Sequence, residues 1–448
     1  MRGVSSPPRD PPPTPIVSSD STRNSMTRSA LLAQERDPSR RRPIAAVLAI
    51  GFAALFLFVG YEFIRSASSS LFITTYGAGR LPRVMAVGPI GTFLLLYGYV
   101  RLLSRLGSNL TLLFTSLLTS AVLAGCFAAI ASGAHLPVAF LYVFREAYIV
   151  LMVEQYWSFI NSTLDEQQAR RWNGPVCGIG SIGGILGGRL VSQYVGSLGT
   201  ETFILLAAAS ILPAAICCII AYRLAPGQPL EAEEEGSTDG GGRHLALSLF
   251  RTHPRLVLLG SLTVVTQLMS TVLDLRFHWL LEEAMPGPEL GDVRTAYMGE
   301  FWSNVNSVSF LLQFALVPLL LRVLPLRAVH GGIPIIHIAA AAALILFPSL
   351  GVGAIAFLIF KSVDYSLFRA AKEILYIPLP FDARYRVKEF NDAFMYRASK
   401  GGASGLVALA TSHFGRLPGA SMAITALLSA LVWLALIFGL LKEDHDRS

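Results

Sequence analysis

The sequence predicts an all-α, polytopic membrane protein with twelve transmembrane helices in two six-helix halves. Three observations carry this. Hydrophobic residues make up 53% of the chain and charged residues only 15%, and mean hydropathy is +0.55, a balance foreign to soluble domains. Apolar runs of about 20 residues, the length that crosses a hydrocarbon core, recur from Ile44 to Leu441 with short basic loops between them. A segment rich in Glu and Gly, Pro226 to Gly242, divides these runs into two sets of similar length.

Taken in order, residues 1–43 are rich in Pro, Ser and Arg and read as a disordered cytoplasmic tail. Met26 is an alternative start that keeps a basic lead. Residues 44–224 form the first half. Four of its spans begin at Ile44, Val84, Leu110 and Pro137, and the sixth at Phe203. The first span continues through Glu62 and Arg65, one turn apart and able to neutralise each other. The fourth carries Arg145, Glu146 and Glu154, with Arg145 and Glu146 expected nearer its outer end. The fifth is glycine-rich. Gly178, Gly180 and Gly183 spell G-x-G-x-x-G, but no strand precedes them, so a dinucleotide fold is rejected. Gly180, Gly184 and Gly188, four apart, instead predict a face for close helix approach.

Residues 225–250 are the acidic, Gly-rich linker, 251–441 the second half, and 442–448 a charged cytoplasmic tail. Two sets of six spans about a central linker fit the architecture of major-facilitator-type carriers. Twelve spans put both termini on one side. With that side cytoplasmic, Arg101, Arg105, Arg171, Arg223, Arg322, Arg327, Arg384, Arg386 and Lys388 all lie inside, and few cations lie outside. The expected place is the inner or plasma membrane. The loop from Gly287 to Asp292 is expected outside. The basic excess, net charge +7, is thus explained by topology, and a nucleic-acid partner is not expected. The four cysteines, Cys126, Cys177, Cys217 and Cys218, lie in apolar runs without metal-ligand spacing.

Lys361 to Lys400 is the chemically richest stretch. A helix starting near Leu350 places Lys361 and Asp364 near the bilayer midplane, where a charge costs roughly 2.5–3.5 kcal/mol on the insertion scale. At about 100° per residue, Lys361, Asp364, Tyr365, Phe368 and Lys372 share one stripe. Lys361 and Asp364 are one turn apart and can pair, as can Arg369 and Glu373 at i, i+4. Pro378 and Pro380 end the helix. A basic loop comes next, then a helix bearing Arg397 and Lys400 before Gly401-Gly402.

The words Lys361-Ser362, Tyr365-Ser366-Leu367-Phe368, Lys372-Glu373, Tyr376-Ile377-Pro378-Leu379 and Arg397 to Gly402 resemble the ATP/ADP translocase family of bacterial and plastid nucleotide transporters. Ile149 to Gly188 resembles it too, through Tyr156-Trp157, Asn161 and Ala169-Arg170-Arg171, as does Ala296 to Phe301. The resemblance implies a secondary carrier with alternating access. It implies a substrate site lined by Arg65, Glu146, Asp274, Lys361, Asp364 and Lys372. Arg369, Glu373, Arg397, Lys400 and the three spaced glycines would serve structure and gating. The family places an acid at Asp274 and a cation at His278. It also places Lys where Asp364 stands, Asp where Arg369 stands, and a charged pair where Ser66 to Ser69 follow Arg65.

These departures weigh on the substrate. A nucleotide needs several converging cations, and Asp364 in place of Lys shifts the local charge by about two units. The expectation is therefore a carrier for a small charged solute bearing less charge than a nucleotide, with ATP/ADP exchange as the alternative. A non-transporting membrane sensor or scaffold is the third reading, and a soluble partner for it, encoded elsewhere, stays open. An enzyme is not expected, because the sequence holds no nucleophile–base set, metal cluster or Walker loop. No cofactor is expected. The partners implied are a small-molecule solute and the lipid bilayer.

Overall fold

The computed structural model describes residues 38–164, 166–224, 254–377, 388 and 390–445. The linker from Pro226 to Gly242, Pro378 to Arg386 and the first 37 residues lie outside the described residues.

The described residues are helical almost throughout. In the first half, α1 is Pro38–Tyr76, α2 Leu81–Ala131, α3 Leu136–Thr163, α4 Glu166–Leu198 and α5 Thr202–Leu224. In the second half, α6 is Pro254–Ala284. Next, α7 runs from Gly291 through a π turn at Leu312–Leu316 to Val323. Then come α8, Leu326–Leu346, and α9, Leu350–Val363 continuing through a π turn at Asp364–Phe368 into Arg369–Tyr376. The last two are α10, a π stretch at Phe390–Met395 leading into Tyr396–Phe414, and α11, Gly419–His445.

The helix α2 is two spans in one rod, broken at Gly107, whose φ of 73° and ψ of 170° are not helical. Eleven stretches among the described residues are long and apolar enough to cross a membrane. The remaining rod, α10, is too polar to meet that measure, because it carries Arg397 and Lys400. With it the count reaches the expected twelve. The first helix begins at Pro38, a turn and a half before the expected first membrane residue.

The start of α1 and the end of α11 lie at one face, the terminal face. The connections at the opposite face are short, and most close through a glycine with positive φ: Gly77, Gly133, Gly199, Gly287 and Gly415. A left-handed residue after a helix lets the chain turn back at once, and only glycine takes it without steric cost. The opposite face is therefore built of tight turns.

Those turns latch the two halves together. Trp279 Nε1 donates to the Ala78 carbonyl at 3.1 Å, and the Ala78 amide donates to Glu282 Oε1 at 3.0 Å. Arg294 Nη2 donates to Thr74 Oγ1 at 2.6 Å. The Thr200 amide and hydroxyl both reach Asp292 Oδ1, at 2.8 and 2.6 Å. The largest buried apolar cluster likewise takes residues from both halves, among them Phe63, Tyr142, Phe277, Trp279 and Phe357. Toward the terminal face, by contrast, Ala46 to Ala54, Tyr156 to Leu164 and Cys218 form a cluster of the first half alone. The halves are thus closed at the opposite face and share less toward the terminal face.

The glycine-rich α4 is wedged between the halves. A Cβ at Gly188 would stand 2.5 Å from the Gly299 carbonyl of α7, and one at Gly184 2.7 Å from the Asn306 amide. Gly183 and Gly187 lie instead against the α1 backbone at Leu55 and Val59, and Gly180 against the Phe58 ring. The expected single face of Gly180, Gly184 and Gly188 is therefore split. A step of four residues advances about 40° past a full turn, so Gly180 has drifted onto α1 while Gly184 and Gly188 meet α7.

Candidate functional site

Charged side chains from both halves converge on one cavity. Arg65 of α1, Glu146 of α3, Asp274 of α6, Lys361 of α9 and Arg397 and Lys400 of α10 all line it. Arg65, Glu146, Asp274 and Lys361 each sit roughly ten residues, about 15 Å, from the opposite-face end of their helices. The charges therefore share one level near the membrane middle. For Arg145 and Glu146 this is deeper than the outer-end position expected from sequence. The cavity measures about 1140 Å³, counting the part open to solvent.

Most of these cations have a defined holder. The Arg65 guanidinium lies 3.0 Å from the centre of the Trp302 ring on α7. It also bonds Glu62 Oε1 at 3.2 Å, as the one-turn spacing predicts. The same Glu62 oxygen accepts from Asn306 Nδ2 at 3.0 Å, so the pair belongs to a network joining α1 to α7. Arg65 is thus both a paired residue and a cavity wall. Lys361 is buried, and its Nζ donates to Ser270 Oγ at 3.0 Å.

Lys400 Nζ donates to Glu146 Oε2 at 2.7 Å, across 254 positions of sequence. This ion pair ties the second half to the first inside the cavity. Lys400, expected as a gating residue, and Arg397 both reach the cavity.

The sequence pattern leaves Arg145 outside the site; the structure brings it in. It is buried, and its Nη1 donates to the Arg65 carbonyl at 2.6 Å, Ser68 Oγ at 2.8 Å and Ser69 Oγ at 2.5 Å. The serines that follow Arg65 therefore supply no charge of their own. They hold a guanidinium brought in from α3. Nothing in one helix's sequence signals such a contact.

Two expected residues stand apart. Asp364 and Lys372 do not line the cavity. Lys372 pairs with Asp392 at 2.7 Å, and Glu373 with Lys388 at 2.6 Å rather than with Arg369, which is exposed. For Lys372 the cause is the π turn at Asp364–Phe368. A π turn inserts one residue relative to an α-helix and rotates the rest of the helix by about 100°. The stripe drawn with constant spacing therefore holds at Lys361 and fails at Lys372. Lys361 bonds Ser270 rather than Asp364, although the charges of Lys361 and Asp364 still act on each other.

Five aromatic rings also line the wall, Tyr61, Tyr142, Trp302, Tyr365 and Tyr396, together with aliphatic and small residues. Five cations and two carboxylates line the cavity, an excess of three positive charges with histidine neutral. Chemically this is a place for an organic anion with a flat or apolar part. Among the described residues no cluster of His, Cys, Asp and Glu could hold a metal ion.

The fold is that of major-facilitator-type transporters. A point mutant of the nucleoside transporter NupG aligns with a TM-score of 0.64 at 12% identity, covering 89% of this chain and 99% of that one. A D-xylose–proton symporter aligns at 0.62 with 12% identity, over 87% and 97% of the two chains. A bacterial homologue of the iron transporter ferroportin, in an inward-facing state, aligns at 0.61 with 13% identity, over 89% and 98%. Within that class the sequence is more specific. Residues 330–443, which include the whole Lys361 to Lys400 stretch, match the TLC ATP/ADP transporter family. The ADP,ATP carrier protein 3 of Rickettsia felis is 25% identical over 309 residues, 57% of this chain and 59% of that protein.

Proposed function

We propose that this protein is a secondary transporter for a phosphorylated organic anion of the nucleotide class, working by exchange. The observation that carries the reading is the cavity wall: five cations against two carboxylates, set among five aromatic rings. Phosphate groups call for converging cations, and arginine is suited to them geometrically. Aromatic faces suit a base or other flat ring. The sequence argument for a less charged solute rests on Asp364, on the cation missing after Arg65 and on the acids Glu146 and Asp274; Asp364 does not line this wall, Arg145 does, and the cations there outnumber the two acids. The family match over residues 330–443 and the name of the Rickettsia felis relative point the same way.

The latch at the opposite face and the looser terminal face suit one end-state of alternating access. With both termini cytoplasmic, in the plasma or inner membrane, this state faces inward. Substrate would rock the halves about the α4–α7 contact, where Gly188 meets Gly299. Arg65, Arg145, Lys361 and Lys400 would contact the phosphates, while Tyr61, Trp302 and Tyr396 would border the organic part.

Uptake of labelled ATP by cells expressing the protein, competed by a panel of ADP, AMP, adenosine and inorganic phosphate, tests this. Competition by ADP far above that by adenosine is expected. Equal competition by adenosine, or none by any phosphate compound, would refute the anionic reading.

A further inference from the structure

The cavity wall holds one imidazole, a group whose charge can change near neutral pH, and the anion site does not use it. His278 and Asp274 stand one turn apart on α6 and both line the cavity. His278 Nδ1 is 3.0 Å from Asp274 Oδ1 and 2.8 Å from the Asp274 carbonyl oxygen. Both acceptors sit on one ring nitrogen, which fixes it as the N–H side of the imidazole. The other nitrogen, Nε2, is buried and has no hydrogen-bond partner. Its lone pair is unused, and the ring that carries it borders the cavity.

The charges around this dyad are set from several helices. Lys361 on α9 and Lys400 on α10 act on Asp274. Asp274 in turn acts on Tyr142 of α3, beside Arg145 and Glu146. Arg276 lies on α6 itself and reaches toward Glu283, at 3.9 Å. A proton on His278 would raise the cavity's excess of positive charge from three to four. An anion in the cavity reverses that balance. By linkage, the anion then raises proton affinity, and the proton raises anion affinity by the same factor.

We propose that His278 Nε2 is a proton-binding site that loads together with the more highly charged of two exchanged anions. This inference rests on the nucleotide-exchange reading. ATP carries one more negative charge than ADP, so their exchange alone moves one net charge across the membrane. A proton taken from water on one side onto Nε2, held by the Asp274 carboxylate through Nδ1–H, and released to water on the other side with ATP, cancels that charge. The proton crosses with ATP, no bond of the nucleotide changes, and ADP returns without it. Intramembrane Asp and His side chains in transporters commonly mark proton paths.

The test uses the full chain in vesicles loaded with ADP and a pH-sensitive dye, with ATP added outside. The wild type is expected to acidify the lumen by about one proton per ATP exchanged, and exchange should not respond to a clamped membrane potential. In His278→Asn the proton-to-ATP ratio should fall to near zero and the remaining exchange should become potential-sensitive. Exchange in the wild type without proton movement, or an unchanged ratio in His278→Asn, overturns the proposal. If no nucleotide is exchanged at all, the substrate reading fails, and nitrogen NMR of the histidine rings still decides the proton site. Comparison with His278→Asn identifies the signal. It should change from the neutral to the charged form as the medium is acidified, and a ring fixed in one form throughout counts against the site.

Discussion

Removing the Lys400 side chain probes a contact that joins the two halves inside the cavity. Lys400 Nζ and Glu146 Oε2 are 2.7 Å apart. Coulomb's law at an effective dielectric of about 20 gives roughly 6 kcal/mol at that separation. The two side chains retain 27% and 31% of their exposure, so solvent screens part of this. Arg145 Nε, 3.7 Å from Glu146 Oε1, also leaves the carboxylate partly compensated. Halving the figure gives a coupling of about 3 kcal/mol, within the range measured for close charge pairs. Lys400→Ala and Glu146→Ala are each expected to destabilise the protein by about that amount, and the double variant by little more than either. Reversible unfolding of the purified protein in SDS, run as a double-mutant cycle, reads the coupling directly. Losses that add to within about 0.5 kcal/mol would refute a direct bridge.

The same geometry sets the outcome of other substitutions. Asp364→Lys is expected to shift the preference among ATP, ADP and AMP only modestly, since the residue does not line the cavity wall and acts on it through its charge on Lys361; a large swing toward ATP in a competition assay would return Asp364 to the site. Arg145→Lys should weaken nucleotide binding by about tenfold or more, because one ammonium cannot match the guanidinium held by Ser68, Ser69 and the Arg65 carbonyl; equilibrium binding of labelled ADP checks this. Gly183→Ala strains α4 against α1 within one half, and Gly188→Ala strains it against α7 across the halves, each by about 1–3 kcal/mol. The first should lower thermal stability, whereas the second should open the latch and raise thiol labelling of a Thr74→Cys reporter. Glu289→Cys should label in intact cells with an impermeant reagent and Ser104→Cys should not; the reverse pattern would invert the topology.

The span pattern was legible because a bilayer imposes length and polarity on every helix at once. The depth of Lys361 was legible for the same reason, since an ionisable residue inside an apolar run has few places to go. What escaped was contact between helices. Lys400 and Glu146 meet across 254 positions, and no spacing rule spans that distance. Arg145 has the look of an end residue in sequence, yet the Ser68 and Ser69 hydroxyls hold it in the interior. The misplacement of Lys372 has a local origin. The π turn at Asp364–Phe368 breaks the constant angle on which any helical wheel depends. Two further π stretches, at Leu312–Leu316 and Phe390–Met395, lie in the same half and limit such wheels there as well.

The central claim is that the cationic cavity carries nucleotides by exchange. The direct test is entry of labelled ATP into vesicles containing the purified protein, loaded or not loaded with ADP. The account predicts saturable entry that depends on internal ADP and is lost in Lys361→Ala and in Arg65→Ala. Entry that ignores internal ADP, or that survives both substitutions, would contradict it.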